Sequence, residues 1–550
     1  MAIAVGSRYQ LRTDSLPVTR LEKSEVSVTY AGRGIDAARA HQHAVADRAD
    51  RSPAPEERGD ATLERVGAQV VVAQLDRVPR VRCAEGRIGF EFAVERARFW
   101  FRAGTGSRDL CIAASVSCRT SIRPISAREP TMTLDYDPFS PRFRDDPYPA
   151  YRALRESAPV HFAPESRMFC VSRHEDVSQV LRRADLFSSS AMATVLMNAD
   201  MGPMRPRYLL ALARFLLKAR INPITMQKRG NLVSSDPPRH DVMRKIVNRA
   251  FTPKRIEAWE QRAREIVATR LAKLARGDAF DVVEDLAVPL RVTIIAEMLG
   301  VAPERQHDFK RWSDAIIAVA TGSARQNPVE SGMLDGFGEL YAYLRKTVRA
   351  RRRAPENDLV SVLVDPSQDG VLDELDMVQF VVLLLVAGNE TTTNLIGNAV
   401  HALLEHPEQL ARVAADPALV PGLVEETLRY DAPIQMVFRT ASCDTEIAGT
   451  PIPKGSTVVP LLGSANRDER VFDAPDRFDV GRDAKGHLAF GLGVHFCLGA
   501  ALARLEARVA LEGLVPLLAE CEPGQSVAPF IDSFLVRGRT QLPVSASRAV

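Results

Sequence analysis

The sequence predicts a mainly α protein with a small β-rich region, and three observations carry that expectation. Apolar residues recur at helical spacing over 236–252, 255–275, 282–298, 373–405, 421–430 and 498–518. Strand-like runs are short and fall near 157–171 and 436–462. Internal repeats are absent, which leaves one core-forming region rather than a solenoid.

The elements follow in chain order. Residues 1–131 are rich in arginine, with Lys23 the only lysine before residue 130, and show no sustained period. Arg51-Ser-Pro-Ala-Pro-Glu-Glu-Arg58 reads as a linker, and the run Val70 to Ala73 is a strand candidate without an evident partner. Two readings stay open for this irregular extension: Met132 is the native start, or the segment is a disordered or family-specific addition. Asp14, Glu22, Glu25 and Asp36 break the acid-poor pattern of a transit peptide. A second region, 132–550, opens with Leu134-Asp-Tyr-Asp-Pro-Phe139 and a helical pattern through Tyr148, Tyr151, Leu154 and Ala158.

Asp236-Pro-Pro238 predicts a helix start with Asp236 as cap, and His240 and Arg244 then share a face at i and i+4. Two donors on one face suit an anion; a solvated basic face is the simpler alternative. Asp373 and Asp376 predict an N-terminal capping box for the next long helix. That helix is apolar until Ala387-Gly-Asn-Glu-Thr-Thr392, where Gly388 costs about 1 kcal/mol relative to alanine in a helix interior. Glu390 and Thr391 break the same local rules, and such failures cluster at sites. The plain alternatives are a surface carboxylate and a hydroxyl bonded back to the carbonyl four residues earlier. Glu426 and Arg429 form an i, i+3 pair on a helix that ends by Pro433.

The most specific stretch is Phe490-Gly-Leu-Gly-Val-His-Phe-Cys-Leu-Gly499. Gly491 and Gly493 permit a tight turn and close approach to a flat ligand. A helix follows, with Leu502, Leu505 and Val509 on one face, so Cys497 sits at a helix N-terminus that favours a thiolate. A dinucleotide fingerprint would need glycine where Phe496 stands, and His495 with Cys497 is too few ligands for zinc. Taken without its neighbours, Cys497 reads equally well as a small buried hydrophobe.

Bulk properties exclude other classes. Apolar residues make up 46% of the 550 and charged residues 26%, as in ordinary folded proteins. A net charge of +3 gives no electrostatic case for nucleic acid. Seven widely spaced cysteines are not a disulfide framework, so a reducing, cytoplasmic location is expected. Phe380 to Gly388 is the longest apolar run of weight and is far short of the roughly 20 residues a membrane span needs.

The ten-residue loop resembles the heme-binding signature of the cytochrome P450 family, Phe-Gly-x-Gly-x-His-x-Cys-x-Gly, with every specified position filled. The resemblance runs from about Met132 to Pro543 and implies the P450 fold and heme b, iron protoporphyrin IX. It implies Cys497 as axial iron ligand, Phe490 near the sulfur with Gly491 and Gly499 shaping the loop, and His495 on a propionate. Ala387-Gly-Asn-Glu-Thr391 resembles the family's acid–alcohol motif. That makes Thr391 the dioxygen-bonding hydroxyl, Glu390 a proton relay, and Ala387 and Gly388 a groove over the heme. His240 and Arg244 resemble its propionate clamp, with Arg439 at a further propionate position. Glu426 and Arg429 resemble its buried brace, with Arg477 as third member.

The implied function is a heme-thiolate monooxygenase that inserts one atom of O2 into a lipophilic small molecule. Electrons would come from a ferredoxin and ferredoxin reductase, since no flavin domain or ferredoxin cysteine pattern is evident; docking near Lys245 and Arg249 is expected. A peroxide-driven peroxygenase and a non-catalytic heme sensor remain the alternatives. A monomer without a membrane span or nucleic-acid partner is expected. Residues 190–230, with Phe380, Leu384, Met436 and Val437, are expected to line an apolar substrate pocket.

Overall fold

The computed structural model describes residues 134–192, 214, 231–312, 333–364, 372–523 and 529–546, and four strands nearer the N-terminus. The chain divides into two compact units, Met1–Pro130 and Thr131–Val550. Within the first, β1 (Ser27–Ala31), β2 (Ala68–Leu75), β3 (Val94–Ala103) and β4 (Leu110–Cys118) form an antiparallel sheet in the order β1-β4-β3-β2. The run Val70 to Ala73, expected to lack a partner, lies in β2 and pairs with β3, Val70 opposite Phe101 and Val71 opposite Trp100. Local periodicity does not register a pairing between strands this far apart in sequence.

The second unit is built on helices. They are α1 (Tyr148–Ser157), α2 (His174–Arg182), α3 (Arg239–Asn248), α4 (Glu260–Ala275), α5 (Val288–Met298) and α6 (Met333–Arg353). After them come α7 (Glu374–Glu405), α8 (Pro407–Ala415), α9 (Val420–Tyr430) and α10 (Ala500–Leu518). A five-stranded sheet takes the order β5-β6-β9-β8-β7, with β5 Val160–Ala163, β6 Met168–Val171, β7 Phe187–Ser188, β8 Arg439–Ala441 and β9 Thr457–Pro460. β9 runs parallel to β6 and antiparallel to β8.

The largest apolar core is shared by α4, α5, α7, α9 and α10 and includes Leu271, Leu290, Ile396, Leu423 and Leu514. A second joins α3, α5, α6 and the first half of α7 through Met243, Ile295, Leu344 and Val381. Among the described residues α7 alone is long and apolar enough to cross a membrane, yet 69% of its apolar window is buried inside the protein. Its apolarity is explained by packing on both sides.

Its start matches expectation: Asp373 accepts from the Asp376 backbone at 2.8 Å, and Asp376 accepts from the Asp373 backbone at 3.2 Å. Asp236 does not cap α3. Its carboxylate accepts instead from the backbone of Ser189 at 2.8 Å and from the Ser188 hydroxyl, tying α3's approach to β7.

The Glu426–Arg429 pair is fully buried, and both guanidinium contacts are short, 2.7 and 2.8 Å. Arg429 also donates to the carbonyls of Asn466, Pro475 and Arg477. The third member is Arg482, whose Nε lies 3.2 Å from Glu426, and not Arg477. The Arg477 side chain is 67% exposed and pairs with Asp479; only its backbone carbonyl joins the brace. Two arginines compete for the segment, and the one whose stem runs inward wins.

Loss of one partner of a buried pair leaves the other charge unpaired at a cost of about 3–5 kcal/mol. Arg429→Ala is therefore expected to lower stability by about that amount in urea titration. Arg482→Ala should cost less and Arg477→Ala should stay within about 0.5 kcal/mol of wild type.

Candidate functional site: the cysteine loop and the polar turn of α7

The loop 490–499 is held by backbone bonds. Cys497 donates to the Phe490 carbonyl at 2.9 Å, Gly491 to Leu488 at 2.8 Å, and Phe496 to Gly493 at 3.1 Å. Gly491 and Gly493 take φ of 69° and 74°, where side chains are strained. They serve different ends. A Cβ on Gly493 would lie 2.7 Å from the Leu181 carbonyl, so this glycine lets the loop press on the end of α2. A Cβ on Gly491 would meet only the His495 carbonyl at 3.9 Å, and one on Gly499 would meet nothing within 4 Å. Among the described residues nothing packs closely against either, which leaves room for a flat group beside the loop. The Arg504 guanidinium lies 4.5 Å from the centre of the Phe490 ring.

Burial pushes the Cys497 thiol up; a backbone hydrogen bond from Gly499 and the charges of Arg244, Arg291 and Arg504 oppose that shift without overcoming it. The helix N-terminus alone therefore does not make the thiolate expected there. A coordinated metal cation reverses that sign, because it deprotonates a ligating thiol outright.

Beside the loop four basic side chains converge, and Asp236 lies near enough for its charge to act on Arg439 and His495. The rings of His240 and His495 lie 4.3 Å apart. His240 Nδ1 contacts Asp241 at 2.9 Å, but its Nε2 is buried without a partner among the described residues, as is Nε2 of His495. Burial, with the charge of Arg439 next, pulls His495 down to about 3. Arg439 is 6% exposed, its guanidinium donates among the described residues only to the Phe438 carbonyl at 2.9 Å, and burial pushes it down to about 10. Burial also lowers Arg244, with the Cys497 thiolate charge opposing. Buried donors and cations are expected to be paired. This cluster fits a group bearing carboxylates, and the loop fits the flat ring that would carry them.

On α7, the Thr391 hydroxyl donates to the Ala387 carbonyl at 2.8 Å, the plain alternative for such a threonine. Ala387 is exposed and Thr391 half-buried. Glu390 is not a surface carboxylate: it is 8% exposed, its Oε1 has no partner among the described residues, and burial raises it to about 7. The space beside Gly388, expected to form a cofactor groove, is taken by a side chain from α5. A Cβ there would lie 2.2 Å from Nη2 of Arg291, whose Nε donates to the Gly388 carbonyl.

Arg291 also grips Glu506 at 2.7 and 2.8 Å, with the two side chains 9% and 0% exposed. The sequence reading missed both residues. The signal was present: Arg291 lies between Leu290 and Ile294, and Glu506 beside Leu505, each a charge inside an apolar stripe. Of the expected pocket residues, Phe380 and Met436 are 3% exposed and belong to packed cores, as periodic apolar residues usually do. Residues 190–230 lie outside the described residues except 190–192 and 214.

The family model described as Cytochrome P450 matches residues 213–518. A Bacillus spizizenii protein named Cytochrome P450 109 is 38% identical over 407 residues, 72% of this chain and 91% of the relative. The chain belongs to the cytochrome P450 family. Erythromycin C-12 hydroxylase of Saccharopolyspora erythraea is 40% identical over 365 residues, 66% of this chain and 84% of that one. Among solved structures, cytochrome P450 CYP109Q5 from Chondromyces apiculatus is 41% identical with a TM-score of 0.65, matching 76% of this chain and 99% of its own. CYP109E1 from Bacillus megaterium in complex with testosterone is 34% identical with a TM-score of 0.62, matching 73% and 99%. This P450 is an oxidoreductase of the monooxygenase class, and its cofactor is heme.

A carboxyl raised from 4.5 to about 7 by burial is more easily charged in the unfolded chain. Its contribution to folding is whole below about pH 4.5 and is lost as pH rises through about 7. Glu390→Gln has no such loss, so its stability relative to wild type should rise between pH 5 and pH 8 in denaturant midpoints. Parallel pH curves would place Glu390 in water.

Proposed function

We propose that this P450 uses Cys497 as the axial thiolate of heme b and hydroxylates a lipophilic small molecule with O2 and electrons from a ferredoxin and its reductase. The observation that carries the residue assignment is the set of buried donors beside the loop that lack acceptors among the described residues. His240, Arg244, Arg439 and His495 are brought together with two ring nitrogens unpartnered, and two propionates would supply the missing acceptors. Phe490, Gly491 and Gly499 then shape the loop against the ring.

Heme iron, when bound, supplies the redox centre at which dioxygen is activated, and a thiolate ligand favours O–O cleavage. The overall change is R–H + O2 + two electrons + two protons giving R–OH + water. Two protons must therefore reach a buried place on cue. Glu390, raised to about 7, can hold a proton at neutral pH and release it again. Its unpartnered Oε1 needs only a water to pass that proton on. The Thr391 hydroxyl must leave the Ala387 carbonyl to donate outward, exchanging one modest hydrogen bond for another.

The relatives support a lipophilic substrate class without choosing within it: one is named for erythromycin and a neighbour was solved with testosterone. The electron partner is supported by α3, whose exposed Lys245 shares a helix with His240 and Arg244 and whose C-cap is the exposed Arg249. Turnover should then fall with added salt. The P450 domain is read as residues 132–550, with 1–131 outside it. The split between compact units after Pro130 supports that boundary, as does a neighbour matched over 99% of its length by 76% of this chain. The location is read as cytoplasmic, a reading supported by the burial of α7 within the protein.

Turnover of a lipophile panel with ferredoxin and reductase, against peroxide alone, tests the reading. Product is expected only with the electron partner, and Glu390→Gln should slow its formation by on the order of 10²-fold. Thr391→Ala should consume electrons while forming little product. Equal yield from peroxide alone would favour a peroxygenase, and no product under either condition a heme sensor.

A further inference from the structure

We propose that Arg291 is a positioning residue for the oxygen-handling turn of α7, held in place by Glu506. The inference rests on the monooxygenase reading and adds to it a residue on a different helix, outside the four family motifs in sequence.

The argument begins with carbonyls. In an α-helix the carbonyl of Gly388 is the acceptor for the amide of residue 392. Here the guanidinium of Arg291 is a second donor to that carbonyl. The preceding carbonyl, Ala387, is likewise engaged by the Thr391 hydroxyl. Two consecutive carbonyls of one turn thus carry side-chain donors, and side chains inserted into the helix ladder bend or re-aim a helix locally. The residues borne on that turn are Glu390 and Thr391.

Gly388 makes the contact possible. A methyl group there would stand 2.2 Å from Nη2 and 3.2 Å from Cζ of Arg291, so the guanidinium and a Cβ cannot coexist. Helix propensity alone would favour alanine at this place. The other side of the fork is fixed as well. Nη1 reaches both carboxylate oxygens of Glu506, which is fully buried on α10, the helix that begins just after Cys497. A planar fork with donors in two directions can hold a carbonyl and a carboxylate together; an ammonium group cannot reproduce that geometry. Arg291 therefore links the helix of the cysteine loop to the turn bearing the acid and the alcohol.

When that turn is out of register, protons arrive wrongly. Dioxygen then takes two electrons and two protons and departs as H2O2, with no oxygen inserted. The readout is the ratio of product to H2O2 at equal O2 consumption. Three variants are compared: Arg291→Met with Glu506→Gln, which removes both charges; Arg291→Lys; and Gly388→Ala, which needs no change to the pair and ejects the guanidinium. Amide hydrogen exchange at residues 391–393 is measured on the same heme-loaded proteins.

The ratio is expected to fall at least tenfold in all three, with Lys giving no rescue, and exchange at 391–393 to speed up. Gly388→Ala added to the double substitution should change little further, since both act on one contact. A wild-type ratio in folded, heme-loaded Gly388→Ala or in Arg291→Lys would overturn the proposal, as would unchanged exchange. Should wild type itself form no product, the monooxygenase reading fails, and the exchange measurement alone then decides whether Arg291 holds the turn.

Discussion

A thiol buried beside four basic side chains is the constraint on which the rest of this molecule depends. Burial raises the Cys497 thiol and pulls His495 down to about 3, so the protein by itself holds both groups neutral at this point. Such a cluster is tolerable when a cation meets the sulfur and carboxylates meet the donors. Heme brings both in one group, the iron and the propionates. The fold can be understood as the scaffold that keeps this unbalanced set together.

Each scaffold part answers to that demand. α3 carries His240 and Arg244 one turn apart, and β8 begins with Arg439. The loop before α10 brings His495, and Gly493 lets it lie against the end of α2 at a distance no side chain permits. Behind it the Glu426–Arg429–Arg482 brace fixes the segment 475–482 from which the loop departs. The charges used in this brace are fully paired, in contrast with those beside the cysteine. Pairing marks the structural cluster, and its absence marks the one awaiting a ligand.

Much of this was legible in the sequence because the decisive signals are local. The loop motif, the capping box at Asp373 and the helical periods of α3, α7 and α10 each reside within a few turns. What was not legible depended on distance. Arg482 and Arg477 are five residues apart, and only the three-dimensional path of the segment shows which stem turns inward. Asp236 fits a cap by type, yet Ser188 and Ser189 compete for it from another element. Helix α6 was overlooked although Phe337, Leu340, Tyr341, Leu344 and Val348 follow a clear helical period. The room at Gly388 was assigned to a ligand because the partner that fills it lies nearly 100 residues earlier on α5.

The assignment that supports every other is the bond between the Cys497 sulfur and iron. Reduced wild-type protein saturated with carbon monoxide should show the strongly red-shifted absorption of a thiolate-ligated heme, and Cys497→Ser, shown to retain heme, should lack it. If the serine variant keeps the red-shifted band, another sulfur holds the metal and the account of this site is wrong.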